Sequence, residues 1–119
     1  MNESEILVDT IISAVQDKKG KRIVKSDLTS IGDTICSYLV VCEANTPTQV
    51  SAIADAIEEK VQKQWSIKPI GKEGVHNSFW IVIDYGDVMA HVFLPDTREF
   101  YDLDNFWEDA RRTEIPDVL

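Results

Sequence analysis

The segment FWIVIDYGDVMAHVF, residues 79–93, carries side chains that could do chemistry inside a run that is otherwise typical of a β-hairpin. Asp84, Asp87 and His91 are of the types that ligate metal ions or transfer protons. Alternation along the strands places only Asp84 and His91 on the same face, and His76 lies in a loop of undetermined direction. No recognised ligand spacing is present. A histidine that makes a structural or interface hydrogen bond is therefore the stronger interpretation.

The rest of the sequence lacks the familiar catalytic motifs. It contains no GxSxG, no phosphate-binding P-loop and no CxxC pair. Cys36 and Cys42 match neither a disulfide framework nor a zinc motif, and they favour a reducing compartment. We therefore expect no catalytic residues, no metal and no cofactor.

Acidic residues dominate the charge, with 21 Asp and Glu against 12 Lys and Arg and a formal net charge of −9. Such a field repels phosphates, which argues against direct nucleic-acid binding and favours a basic protein partner, although the same balance also serves solubility. The length suits a single domain, residues 1–119. Because the sequence shows no signal segment and no apolar run of about 20 residues, we expect a cytoplasmic protein without a membrane association.

Local patterns predict the elements that position the hairpin. Helical spacing of apolar residues indicates a helix over about 4–18, RIVKSDL indicates a short strand, and the unbroken apolar run SYLVVCE indicates a central strand covered on both faces. Thr46, Pro47 and Gln49 form a helix start with a capping box, and that helix should run to about Gln64. IKPIGKEG, with Pro69, suits an edge strand. Together they predict an α/β fold with helices packed on a sheet.

The C-terminal segment has weaker signals. Asp102 or Asp104 could cap a short helix that holds Phe106, Trp107 and Ala110. Residues 111–119 show little periodicity, and we expect this tail to fray.

The hairpin has one apolar face and one mixed face. Gly86 marks a two-residue turn, either Tyr85-Gly86 or Gly86-Asp87, and both registers give the same face assignment. The apolar face, expected under the helices, comprises Phe79, Ile81, Ile83, Val88, Ala90 and Val92. The mixed face comprises Trp80, Val82, Asp84, Met89, His91 and Phe93. Aromatic residues and Met are enriched in protein interfaces, so the mixed face could dock a partner. It could equally be covered by the C-terminal segment with Phe100, Tyr101 and Trp107.

The order of these segments resembles the ribosomal silencing factor family, also called RsfS or Iojap. The resemblance lies in SYLVVCEANTPTQVSAIADAIEE, the hairpin FWIVIDYGDVMAHVF and the closing REFYDLDNFWEDA, and it covers the chain from Leu7 to Ala110. Two departures occur: Cys36-Ser37-Tyr38 replaces a frequent Asp-Tyr-Phe, and Trp65-Ser66 stands where a glycine is common.

The resemblance implies a mixed, roughly five-stranded sheet flanked by helices, with a topology similar to nucleotidyltransferases. It also implies a non-enzymatic protein that binds the large ribosomal subunit through a ribosomal protein at the inter-subunit face. That binding would block subunit joining and repress translation when nutrients are scarce. A homodimer of the free protein is a further implication.

The resemblance and the mixed face together give a partner-binding site. Asp84 and Asp87 would pair with cations of the basic partner, Trp80, Met89 and Phe93 would supply desolvated contact, and His91 would form a hydrogen bond across or beneath the interface. Tyr85, Tyr101 and Trp107 complete the predicted set. The alternative is a degenerate nucleotidyltransferase-like enzyme. That chemistry needs a Gly-Ser turn and paired carboxylates, and IGDTI has only a single glycine without the serine.

Overall fold

The computed structural model describes residues 2–31, 36–102 and 110–118. Its elements, in chain order, are α1 (Glu3–Asp17), β1 (Lys21–Asp27), β2 (Tyr38–Glu43), α2 (Pro47–Trp65), β3 (Gly71–Glu73), β4 (Trp80–Asp84), β5 (Val88–Phe93), α3 (Pro95–Tyr101) and β6 (Arg111–Ile115). None of the helices in these three ranges is long and apolar enough to cross a membrane.

The described strands form one mixed sheet in the order β3-β4-β5-β2-β1-β6. The central β2–β5 pair is parallel, and the other neighbours are antiparallel. The predicted mixed sheet flanked by helices is confirmed, with six strands in the described ranges where about five were expected.

The sixth strand corrects the prediction that residues 111–119 fray. Residues 111–115 form β6, which pairs with β1 from Asp27↔Arg111 to Ile23↔Ile115. Four of the five β6 side chains are exposed. Main-chain hydrogen bonds at a sheet edge hold the strand in place, so the sequence shows no hydrophobic alternation there. The predicted helix with Phe106 and Trp107, and its candidate cap Asp104, lie outside the described residues.

Both long helices match their sequence signals. Asn2 caps α1 by accepting a hydrogen bond from the Glu5 amide at 2.8 Å. Thr46 caps α2 by accepting one from the Gln49 amide at 3.1 Å, which confirms the first half of the predicted capping box. Ser66 closes α2 with φ 55°, a left-handed conformation that glycine adopts at lower cost. This serine is one of the two departures from the family pattern.

A single glycine lets the chain leave α1 toward β1. The Gly20 amide donates a hydrogen bond to the Val15 carbonyl at 2.9 Å. A Cβ at Gly20 would lie 2.4 Å from Val15 Cγ1, closer than van der Waals contact allows. Glycine therefore permits the chain to turn tightly against the end of the helix.

The main core lies between one face of the sheet and helices α1 and α2. Ile11 and Val15 of α1, Ile53 and Ile57 of α2, and Ile81 of β4 belong to it, and each is 1% exposed or less. All six residues of β2 are buried, which confirms the central strand covered on both faces. Burial raises the pKa of the Cys36 thiol to about 11 and that of Cys42 to about 12, so both thiols are protonated and unreactive near neutral pH.

Candidate functional site

The predicted division of the hairpin into two faces is largely confirmed. Five of the six residues assigned to the helix-covered face, Ile81, Ile83, Val88, Ala90 and Val92, are 0–1% exposed in the main core. The assignment of Phe79 is wrong, because this side chain is 47% exposed. β4 begins only at Trp80, and Ser78 has φ 60°, so the strand alternation does not extend back to Phe79.

The hairpin turn uses the Gly86-Asp87 register. The Tyr85 amide donates a hydrogen bond to the Val88 carbonyl at 2.9 Å, and Asp84 pairs with Met89. Gly86 has φ 88°, a value that glycine tolerates without steric cost. Of the two turns that the sequence left open, the Gly-X pattern is the one that forms.

One end of the mixed face carries an aromatic cluster, defined here as Trp80, His91, Phe93 and Tyr101. Trp80 and Phe93 are cross-strand partners and stack with ring centroids 4.9 Å apart. Tyr101, from α3, also packs on Trp80, with ring centroids 4.8 Å apart and the ring planes tilted by 43°. The alternative that the C-terminal segment covers the mixed face is thus correct for α3 at this end, while Trp107 lies outside the described residues.

A hydrogen bond fixes the orientation of the Trp80 indole. Its Nε1–H donates to His91 Nδ1 at 3.0 Å. Burial lowers the pKa of His91 to about 4, so the imidazole is neutral near pH 7 and its Nδ1 can accept. A general base works best with a pKa near the operating pH. His91 is therefore suited to holding Trp80 and poorly suited to acid–base catalysis.

The acidic tip of the hairpin lies apart from the aromatic cluster. About 13 Å of extended strand separates Trp80 from Asp84. Asp84 accepts a hydrogen bond from the Gly86 amide at 2.7 Å, so its carboxylate helps to build the turn. The Asp87 side chain is exposed, and its main-chain carbonyl accepts from the amides of Ser37 and Tyr38. The predicted site is thus divided between the two ends of the hairpin.

The predicted partner contacts of Phe93 and Tyr85 are wrong, because of where these side chains are buried. Phe93 is 0% exposed, because Trp80 stacks on it, so it supports the surface and cannot touch a partner directly. Tyr85 packs against the main core, on the face opposite Trp80. Its hydroxyl is buried without a hydrogen-bond partner among the described residues, and burial, with a smaller contribution from the Glu58 charge, raises its pKa to about 12.

Met89 joins a small second core on the mixed face. It packs, partly exposed, against Leu28, Cys36, Leu39 and Ala110. This core lies beside the acidic tip, because Met89 pairs with Asp84. Met89 thus combines a structural role with some accessible surface.

Sequence reasoning missed a buried ion pair next to the aromatic cluster. Arg98 of α3 lies 3.3 Å from the Glu43 carboxylate, and both side chains are almost fully buried. Glu43 stands opposite Phe93 in the parallel β2–β5 pair. The one sequence signal was a glutamate at the end of the otherwise apolar run SYLVVCE. An unpaired charge in such a position would be costly, which indicates a buried partner.

Within the described residues, no group of three or more His, Cys, Asp or Glu side chains is placed to hold a metal ion. Residues 32–35, which make up most of the IGDTI segment, lie outside the described ranges.

The fold and the site define a small mixed α/β protein with an aromatic cluster on the sheet face opposite its two long helices. The family model described as "Ribosomal silencing factor during starvation" matches residues 1–119. The chain belongs to the ribosomal silencing factor family, and the resemblance found in the sequence is confirmed.

Relatives and a solved structure agree with this assignment. Ribosomal silencing factor RsfS of Halalkalibacterium halodurans is 34% identical over 119 residues, which cover 100% of this chain and 99% of the relative. RsfS of Bacillus subtilis is 34% identical over 97% of this chain and 95% of its own length. A crystal structure of a protein from Chromobacterium violaceum superposes with a TM-score of 0.83 at 30% identity, over 91% of this chain and 88% of the other. The relatives are named as silencing factors rather than enzymes.

Proposed function

We propose that the protein binds the large ribosomal subunit through a basic ribosomal protein at the inter-subunit face. Its occupancy would sterically block joining of the small subunit and so repress translation when nutrients are scarce. The observation that carries the proposal is the aromatic cluster, which presents Trp80 and Tyr101 on the sheet face opposite α1 and α2 in a chain of this family. The mechanism is steric, so it requires no bond to be made or broken.

Exposed aromatic surface supports docking at this end of the sheet. Tyr101 is 56% exposed and Phe100, which meets it edge to face, is 78% exposed, while Trp80 is partly exposed beside them. Large aromatic side chains on a rigid support are the usual energetic centres of protein interfaces. His91 and Phe93 provide that support from beneath.

Charge would bring the partners together. The net charge of −9 attracts a basic protein surface over a distance, and exposed Asp87 places a carboxylate at the hairpin tip. In the refined site, Trp80, Tyr101, Met89 and Asp87 make contact, while Asp84 shapes the turn. Tyr85 is left out, because it packs on the opposite face.

Co-sedimentation with purified ribosomal subunits tests the proposal. We expect the protein to pellet with large subunits and not with small ones, and the bound fraction to fall as salt rises. A second step adds small subunits after the protein, and formation of joined ribosomes should decrease. Equal binding to both subunits, or unchanged joining at full occupancy, would refute the proposal. Light scattering of the free protein tests the homodimer that the resemblance implies.

The chain offers a matched control for the docking surface, which we define as the contacting residues Trp80, Tyr101, Met89 and Asp87. Trp80→Ala should weaken large-subunit binding by about tenfold or more, as truncation of a central aromatic contact does. Trp65→Ala removes the same side chain from the end of α2, where Trp65 Nε1 donates to Thr10 Oγ1 at 2.8 Å. Its binding should stay within about twofold of the parent. Equal losses in the two variants would show that the aromatic cluster is not the docking surface.

A further inference from the structure

Helix α3, which carries Tyr101 to the docking surface, is too weak to hold its own position. It has seven residues, and its N-cap residue, Leu94, makes no side-chain capping bond. Isolated helices of this length are unstable in water. Among the residues of α3, all of which the structure describes, Arg98 is the only buried side chain. Apolar burial therefore does not account for the placement of this helix.

Arg98 ties α3 to two neighbouring strands of the sheet, β1 and β2. Its Nη1 donates to the Arg22 carbonyl at 2.7 Å and to Glu43 Oε1 at 3.3 Å, and the side chain is 2% exposed. Arg22 Nη1 also lies 3.0 Å from Glu43 Oε1, so two guanidinium groups share one buried carboxylate. A buried, charge-assisted contact of this type is directional, so it can fix an orientation as well as a distance.

An irregularity in β1 supplies the carbonyl that Arg98 uses. The β1–β2 register shifts between Lys21 and Val24, and Arg22 lies in this shift with φ 49°. The extra residue of a bulge leaves the regular ladder, which frees its main-chain groups for other partners. The Arg22 amide accordingly donates to Asp117 Oδ1 at 3.0 Å, and its carbonyl accepts from Arg98.

Because α3 is a helix, fixing the position of Arg98 also fixes the position of Tyr101. Arg98 and Tyr101 are three residues apart, so they lie on neighbouring positions of one helical face. While Arg98 contacts Glu43, the ring centroid of Tyr101 lies 4.8 Å from that of Trp80. We infer that Arg98 is a positioning residue: its buried contacts to Glu43 and Arg22 place Tyr101 on Trp80 and so complete the docking surface. This inference rests on the proposed function.

A double-mutant cycle separates positioning from general stabilisation. Arg98→Met and Tyr101→Ala should each weaken large-subunit binding by about tenfold. If Arg98 acts through Tyr101, the affinity of the double variant for large subunits equals that of whichever single variant binds more weakly. A loss of affinity in the double variant equal to the product of the two single losses would overturn the inference. Lys60→Met, which breaks the contacts of Lys60 to Asp17 and Ser13 on the other side of the sheet, should bind within about twofold of the parent.

A spectroscopic readout tests the positioning without ribosomes. The indole N–H resonance of Trp80, identified by its loss in Trp80→Phe, senses the Tyr101 ring, which lies tilted beside it. Tyr101→Ala should shift this resonance in the parent and leave it unchanged in the Arg98→Met background. An unchanged Trp80 resonance in Arg98→Met would overturn the positioning role even if binding were weakened. Equal binding of the parent to large and small subunits would instead refute the proposed function. The resonance test would remain valid in that case, because it uses no ribosomes.

Alternative substitutions keep the inference testable if Arg98→Met does not fold. Arg98→Met leaves Glu43 with Arg22 as a remaining partner. If that variant does not fold, Arg98→Met combined with Glu43→Gln removes both buried charges, and Arg98→Lys keeps the charge without the planar fork of the guanidinium. Both replacements should shift the Trp80 resonance in the same direction as Tyr101→Ala. A parent-like resonance in a folded replacement would overturn the inference.

Discussion

The two faces of the sheet are built by different physics. The face under α1 and α2 is apolar and closed, and residues such as Ile81 and Ile83 are 0–1% exposed. The opposite face combines a hydrogen-bonded histidine, a buried ion pair and partly exposed aromatic rings. Burial of apolar area stabilises the first face without regard to direction, whereas the second depends on specific geometry. The first face therefore maintains the fold, and the second is the face on which we propose that the partner docks.

The largest expected effect contrasts neighbouring residues of β4. Ile81→Ala should lower the free energy of unfolding by about 2–5 kcal/mol, because it opens a cavity in the main core. Trp80→Ala, one residue away on the partly exposed face, should cost less. Urea denaturation of both variants measures the difference. Equal losses of stability would show that the two faces are equally structural and would break the contrast.

The pH dependence of stability gives a second test of the contrast between the two faces, because His91 lies buried on the mixed face. Its folded pKa of about 4 lies below the ordinary value of 6.5, so the unfolded chain binds the proton more readily. The stability from this group is therefore present above about pH 6.5 and is lost as pH falls toward 4. We expect the parent to lose roughly 2 kcal/mol more than His91→Gln between pH 7 and pH 5.

Denaturant titrations at the two pH values test this expectation. His76→Gln serves as the matched control, because His76 is exposed in a loop. Its pH dependence should follow the parent. If His91→Gln loses as much stability as the parent on acidification, His91 is not the buried neutral acceptor that holds Trp80.

Tyr85 tests the corrected border between the faces. Tyr85→Phe removes a buried hydroxyl that has no hydrogen-bond partner among the described residues. Stability should be unchanged or higher by up to about 1 kcal/mol, because no bond is lost and a desolvated polar group disappears. Large-subunit binding should match the parent. Weaker binding with unchanged stability would return Tyr85 to the docking site.

Local signals explain how much of the fold the sequence predicted. The cap at Thr46, the helical stripes and the strand alternation operate over a few residues, so α1, α2 and the hairpin faces were found. β6 was missed because its exposed side chains carry no pattern. α3 was also missed, although Pro95 marks its start, because seven residues give little periodicity.

The candidate site was predicted only in part, because its construction depends on distant residues. Alternation placed Trp80 and His91 on one face, which the structure confirms through their hydrogen bond. It could not show that Phe93 lies beneath Trp80, since both share that face. Arg98 and Glu43 are 55 residues apart in the chain, and no local pattern connects them. Burial depth and long-range pairing are tertiary properties that strand periodicity does not contain.

The smallest expected effect concerns charge at the hairpin tip. The Asp87 side chain is exposed, while its main-chain carbonyl anchors the start of β2 through the amides of Ser37 and Tyr38. Asp87→Lys keeps that carbonyl, so stability should change by no more than about 0.5 kcal/mol. Reversing the charge should slow association with large subunits and flatten its salt dependence, because rim charges act mainly on the encounter rate.

Glu59→Lys separates a local effect of Asp87 from the change in net charge. Glu59 is exposed on α2, on the opposite side of the sheet, and its replacement changes the charge by the same amount. Stopped-flow association rates at low and high salt should be slower for Asp87→Lys than for Glu59→Lys, and the two should converge as salt screens the charges. Identical rates at low salt would mean that the partner senses only net charge. Asp87 would then be a turn residue, and the docking site would be confined to the aromatic end of the hairpin.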